Sequence, residues 1–380
     1  MKENPLLGLG ALGQSIWIDF IHRGMFPSGE LKRLIEDDGV KGVTSNPSIF
    51  EKAIAGTHEY DDDIRSLASG GKSAVEIYDA LTVHDVQMAA DLFRGLYENL
   101  QGKDGFMSLE VSPLLAHDTD GTVAEARRLW KAIDRPNAFI KVPATREGLS
   151  AITKLIGEGI NVNVTLLFGL PRYREVAEAY IAGLEMLAGK NKPLDRVASV
   201  ASFFLSRIDT LVDPMLDKKR SAGGPGAARA EGLRGQVACA SAKVAYRMYK
   251  DIFAGERFMK LAARGARTQR LLWASTGAKD PAYSDVKYID TLIGPETVNT
   301  VPRETLDAYR EHGDPALRLE AGIEEAGSVI EQLPALGIDL AALSQQLEDD
   351  GVAKFSEAYA RLMDAIVERR KKDLAEAARR

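Results

Sequence analysis

A lysine inside an apolar strand is the residue of this chain whose chemistry most needs explaining. Lys141 lies in Phe139-Ile140-Lys141-Val142-Pro143, where burial disfavours its charged ammonium form. A neutral amine attacks carbonyls and forms a Schiff base. The resulting iminium draws electrons from the neighbouring carbon–carbon bond, so such a lysine can break and make that bond without a metal. The reaction also needs a carboxylate to take the substrate's hydroxyl proton and to manage water. Side chains alternate across a strand, and that alternation supplies candidates. Ser108, Glu110 and Ser112 oppose Leu109 and Val111, while Ser15, Trp17 and Asp19 oppose Ile16, Ile18 and Phe20. Asn161, Asn163 and Thr165 oppose Val162, Val164 and Leu166, and Lys141 shares its face with Phe139. Four strands thus place Asp19, Glu110, Lys141, Asn163 and Thr165 on faces that do not pack on helices. The bland alternative is a structural ion pair of Lys141 with Glu110 or Asp19. Convergence of several polar groups, with no metal-ligand pattern beside them, favours chemistry.

These faces meet only if the strands lie side by side. Strands are predicted over 15–20, 42–45, 107–111, 138–142, 161–166, 197–201, 270–274 and 297–299. Amphipathic helices are predicted over 28–38, 73–99, 122–134, 146–158 and 171–188. Strands that alternate with helices pair in parallel, because parallel strands need crossovers. The count of strands is that of a (β/α)8 TIM barrel. Residues 1–380 are expected to form one such barrel domain, with a lead-in loop over 1–13 and a C-terminal helical extension from about 320 to 380. Residues 218–229 are predicted to be a loop, and the basic run Arg369-Arg370-Lys371-Lys372 a solvated helix end.

Composition narrows the function classes. The 380 residues carry 49 basic and 55 acidic side chains, a net charge of −6, so no general basic face for nucleic acid is expected. One cysteine, Cys239, excludes an internal disulfide framework and is read as inert helix packing. No apolar run approaches the roughly 20 residues of a membrane-crossing helix. The first residues lead into too short an apolar stretch for a signal peptide, which suits a cytoplasmic protein. Two motifs are decoys. Gly8-Leu9-Gly10-Ala11-Leu12-Gly13 fits the dinucleotide pattern but precedes the first strand instead of following one. Gly71-Lys72-Ser73 resembles the end of a P-loop, yet Ser66 stands where its first glycine belongs.

Three segments resemble the transaldolase family, most closely its longer bacterial branch. They are Thr44-Ser45-Asn46-Pro47-Ser48, Ile140-Lys141-Val142-Pro143-Ala144-Thr145, and Asn161-Val162-Asn163-Val164-Thr165-Leu166-Leu167-Phe168. The resemblance runs from about Leu6 to about Leu306 with the motifs in order. It implies a (β/α)8 enzyme of the pentose phosphate pathway that uses no cofactor. Such an enzyme moves a dihydroxyacetone unit from a ketose phosphate to an aldose phosphate. A simple aldolase acting on fructose 6-phosphate keeps the same lysine; dependence on an acceptor aldehyde separates the two.

The resemblance also implies roles. Lys141 stands where the family has its Schiff-base lysine, and Glu110 where it has an acid/base glutamate acting through a water held at Thr165. Asp19 matches the aspartate that handles the substrate hydroxyl proton. Asn46 and Asn163 match two hydroxyl-binding asparagines. Ser202, Phe204 and Arg207 match the sixth-strand segment, whose arginine binds phosphate, although Phe203 and Ser206 replace a proline and a glycine of shorter members. Lys279 takes the place of a second phosphate-binding arginine, with Arg267 or Arg270 next in line. The implied partners are sugar phosphates, with no nucleic acid or membrane and a monomer or homodimer.

Overall fold

Eight parallel strands close into a barrel in chain order, β1 pairing with both β2 and β8. The strands are β1 (Gln14–Ile18), β2 (Gly42–Val43), β3 (Phe106–Glu110), β4 (Ala138–Pro143), β5 (Val162–Leu167), β6 (Ser199–Phe204), β7 (Arg270–Ala274) and β8 (Thr297–Val301). This computed structural model describes residues 4–377; Met1–Glu3, the start of the segment weighed as a signal peptide, and 378–380 lie outside the described residues. All strand residues are buried except Arg270, which is half-buried at the start of β7. Helices between the strands cover the outside, so the (β/α)8 TIM barrel expected from the alternation is the observed fold. Trp17, Phe106 and Phe139 fill the lower barrel, with Phe106 and Phe139 stacked at 4.3 Å. Among the described residues no single helix is long and apolar enough to cross a membrane.

Several local expectations need correction. The lead-in over 1–13 holds a helix, Pro5–Ala11, whose first turn is capped by Asn4. Pro at the first helical position and an Asn cap are helix starters that the glycines obscured. Ser73 is the cap of the helix Ala74–Asn99, in a reciprocal bond with Glu76, which accounts for the Gly-Lys-Ser decoy. The 218–229 loop shrinks, since helices cover Ser206–Ser221 and Ala227–Leu233; the break falls at Gly223 and Gly224, both with positive φ. The sixth strand runs 199–204, not 197–201, because Phe203 and Phe204 bury apolar rings on both faces. In β5 the pairing slips between Val164 and Leu167, and Leu166 adopts φ 55°. That bulge turns Leu166 away from the helix layer and towards the C-terminal helix.

The tail is helical, as predicted, but it is not an appendage. Helix Ile323–Gln332 gives way to helix Leu340–Ala377 at a bend of 92°. The last helix begins beside the end of β5, where Ser344 donates to the Phe168 carbonyl. It passes over Leu166 and Arg207 at Gly351. Farther on, Arg361 pairs with Glu51, and Arg369 donates to the carbonyls of Ile54, Ala55 and Thr57. The helix therefore straps the C-terminal mouth from the fifth strand to the segment after the second. Its buried stripe Leu347, Phe355, Ala358, Leu362 and Ile366 recurs at helical spacing. The basic run is only partly a solvated end, because Arg369 and Arg370 both dock on backbone carbonyls.

Gly351 makes this crossing close. A Cβ there would lie 2.8 Å from Leu166 Cδ2 and 3.5 Å from an Arg207 nitrogen. Gly351→Ala is expected to destabilise by about 1–3 kcal/mol through overpacking, despite alanine's better helix propensity. Urea unfolding of the full chain measures this; a stabilised variant would show that the strap rides loosely.

Candidate active site

Parallel register sets Lys141 between Glu110 on β3 and Asn163 on β5. Lys141 and Glu110 are only 3 % and 8 % exposed. The Lys141 ammonium donates to the Ser45 carbonyl at 2.9 Å and faces Glu110 Oε2 at 3.5 Å. Burial pushes the Glu110 carboxyl up to about 7, against the pull of Lys141. Asp19 follows β1 directly, tied to the barrel by its backbone N–H on the Val301 carbonyl. Burial raises its pKa as well, opposed by Lys141 and by a 2.8 Å hydrogen bond from Thr44 Oγ1. Burial thus holds two carboxyls above their usual range beside one amine, the arrangement that general acid–base chemistry uses.

Around this centre the polar side chains are chained together. Asn163 Nδ2 donates to Ser108 Oγ at 3.1 Å, and Ser202 Oγ donates to Asn163 Oδ1 at 2.7 Å. Ser202 thus fixes which way the Asn163 amide points. Thr165 lies one pleat above Asn163, with a buried Oγ1 that has no hydrogen-bond partner among the described residues. Buried hydroxyls ordinarily find a partner, so Thr165 is free to hold water or substrate. Asn46 caps the short helix Pro47–Phe50 through Oδ1, which leaves its Nδ2 as a donor.

One cavity at the C-terminal mouth is lined by Asp19, Asn46, Lys141, Ser202, Phe204 and Arg207. Arg207 lies in the first turn of the helix after β6; it forms no salt bridge among the described residues, though the Asp19 and Glu110 carboxylates act on its charge. Its guanidinium lies 5.4 Å from the Phe204 ring and 5.9 Å from Phe355, a residue of the last helix. A cation beside two rings, with no direct salt bridge among the described residues, suits an incoming anion.

Lys279 stands apart. It is exposed and lines the neighbouring cavity with Asp209, Asp213 and Asp280, although its charge still lowers the Asp19 pKa. Arg267 and Arg270, the fallback candidates, lie at the opposite end of the barrel. Arg267 donates to the Gln101 and Gly102 carbonyls, and Arg270 to Ser15 Oγ and the Lys103 carbonyl. Arg270 opens its strand, so topology removes it from the C-terminal mouth. Cys239 is buried in the helix Val237–Ala254, and burial pushes its thiol up to about 12, in keeping with inert packing.

Sequence reasoning missed Ser275, Thr300 and Phe355, which complete the cavity wall. Ser275 sits just past β7 at φ 54°, bonded to Ser206 Oγ at 2.9 Å. A left-handed non-glycine residue at a strand end is a strained position of the kind found at functional sites, but its sequence carries no sign of it. Phe355 was findable in principle from the apolar stripe of the tail; its partner was not.

Known proteins place the chain. The family model described as Transaldolase/Fructose-6-phosphate aldolase matches residues 16–366. A protein named Transaldolase from Trichodesmium erythraeum is 48% identical over 376 residues, covering 98% of this chain and 99% of its own length. Another of that name from Saccharopolyspora erythraea is 48% identical over 367 residues, covering 96% and 98%. A third, from Thiobacillus denitrificans, is 47% identical over 355 residues, covering 93% and 97%. With a closed barrel, a buried lysine between carboxyls and relatives alike from end to end, the chain belongs to the transaldolase/fructose-6-phosphate aldolase family, as a transferase of the transaldolase kind.

Proposed function

We propose that this transferase moves a dihydroxyacetone unit from sedoheptulose 7-phosphate or fructose 6-phosphate to glyceraldehyde 3-phosphate or erythrose 4-phosphate, through a Schiff base on Lys141. The observation that carries the reading is the buried Lys141 amine, 3.5 Å from the Glu110 carboxyl at the floor of the cavity that holds Asp19 and Arg207. Lys141 Nζ adds to the ketose carbonyl carbon. The carbinolamine loses water to give an iminium, with Glu110 moving the protons through a water held at Thr165. Asp19 takes the proton of the C4 hydroxyl, the C3–C4 bond breaks, and its electron pair flows into the iminium to form an enamine. The first aldose phosphate leaves. The enamine then attacks the acceptor aldehyde, the new hydroxyl regains the proton from Asp19, and water releases the product from Lys141. Asn46 and Asn163 hold the hydroxyls of the retained three carbons, with Ser202 steadying Asn163 and Phe204 walling the pocket. The enzyme needs no cofactor for this sequence and works in the cytoplasm within the pentose phosphate pathway, as a monomer or homodimer. Borohydride added with fructose 6-phosphate is expected to fix a three-carbon unit on the protein, mapped by peptide mass to Lys141. An adduct on another lysine overturns the assignment.

Arg207 is proposed to take the phosphate, supported by its place in the cavity wall with no salt bridge among the described residues. Charge-assisted hydrogen bonds contribute about 1.5–3 kcal/mol each. Arg207→Ala is therefore expected to lower kcat/KM roughly 10- to 150-fold for phosphorylated ketoses, and to change little with free dihydroxyacetone. Lys279 is exposed, so Lys279→Ala is expected to have the smaller effect, about threefold or less, in line with exposed charges. Steady-state kinetics with inorganic phosphate as competitor distinguishes them. Equal losses in the two variants would place both cations on the phosphate.

A further inference from the structure

We propose that the N-terminal mouth of the barrel, opposite the catalytic end, is a second binding site that takes a small organic dianion. The cavity there measures about 400 Å³, within the roughly 300–1,000 Å³ of small-molecule sites. Lys41, Lys103, Arg267 and Arg270 line it, against the carboxylates of Asp104 and Glu296. Four cations against two carboxylates leave two positive charges to be met.

Among the described residues no further carboxylate lines the cavity. Asp104 is already engaged by Trp17 Nε1 at 2.8 Å, by Ser15 and by Arg270 at 3.4 Å. Arg267 donates only to the carbonyls of Gln101 and Gly102. Lys41 and Lys103 have neither an ion pair nor a side-chain hydrogen bond among the described residues. Like charges around one hollow repel and lower stability, so a purely structural role does not explain them. Behind the cations the cavity floor is apolar and closed: Phe106, Phe139 and Val200 are 2 %, 1 % and 2 % exposed. A small dianion therefore sits among the side-chain cations, above that floor.

The glycine motif at the start of the chain belongs to this cavity. Gly10 and Gly13 both line it. A Cβ at Gly10 would come within 3.2 Å of Lys41 Nζ, so glycine leaves that ammonium room to move. The site also touches the strands that carry catalysis. Phe139 and Ser15 line it, and they precede Lys141 on β4 and Asp19 at the end of β1 on the same inward faces.

The test titrates full-length protein with phenyl phosphate, and separately with phthalate, by calorimetry at low salt. Three forms are compared: wild type, Arg207→Ala, and Lys41→Gln/Lys103→Gln, each checked for an intact fold by its melting transition. Arg207→Ala removes the phosphate contact at the catalytic end and is expected to keep one equivalent of binding. The double lysine variant is expected to weaken that equivalent at least about tenfold, the effect of losing a charge-assisted contact. Preference for phenyl phosphate or phthalate then identifies the headgroup. If Arg207→Ala binds neither probe, or if the lysine substitutions leave the affinity unchanged, the site does not exist.

Discussion

Lys141→Ala is expected to abolish both turnover and the borohydride adduct. Removing a covalent nucleophile lowers kcat by roughly 10⁴-fold or more, because among the described residues no other lysine lines this cavity. The fold should survive. The substitution leaves Glu110 without its charge partner, which in a buried pair costs on the order of 3–5 kcal/mol when the remaining group stays ionised. Glu110 escapes much of that cost by binding a proton, since its pKa already stands at about 7. Lys141→Met, which keeps the volume of the stem, should be as inactive and somewhat more stable. Intact mass after reduction with substrate, together with steady-state rates, checks the prediction. A three-carbon adduct that persists in Lys141→Ala would move the Schiff base elsewhere.

Glu110→Gln should retain substrate binding and lose about 10²- to 10⁴-fold in kcat, the range of general acid–base assistance. It also carries a signature in stability. The carboxyl titrates near 7 in the folded chain and near its ordinary 4.5 when unfolded. Between those values the folded protein holds a proton that the unfolded chain has released, so stability falls as pH rises through the window. The full difference is about 3 kcal/mol. In Glu110→Gln that decline is absent, and urea unfolding of both proteins at pH 5 and pH 8 isolates it from the other buried acids. Parallel pH profiles would mean that Glu110 is an ordinary carboxylate, and the acid–base role would lose its support.

The barrel and its reactive floor were legible because they rest on local rules. Strand alternation alone put Asp19, Glu110, Lys141, Asn163 and Thr165 inside, and parallel register brought Glu110, Lys141 and Asn163 into line. What was not legible depends on contacts far apart in the chain. Phe355 reaches Arg207 across about 150 residues of sequence, and no periodicity names such a partner. Lys279 follows the seventh strand, where the sequence puts it; it lines a neighbouring hollow while its charge still reaches Asp19. The positive φ of Leu166 and Ser275 is imposed by packing around them, since neither residue type prefers it.

The strap over the catalytic mouth has a consequence for synthesis. Chains are made from the N-terminus, and folding follows that order. Every proposed catalytic group, from Asp19 to Arg207, leaves the ribosome well before Phe355 does. A nascent chain that has completed β8 therefore owns all its reactive side chains but lacks a wall of the pocket, and Leu166 has no helix lying over it. The pocket wall is completed only once the last helix has been made and docked.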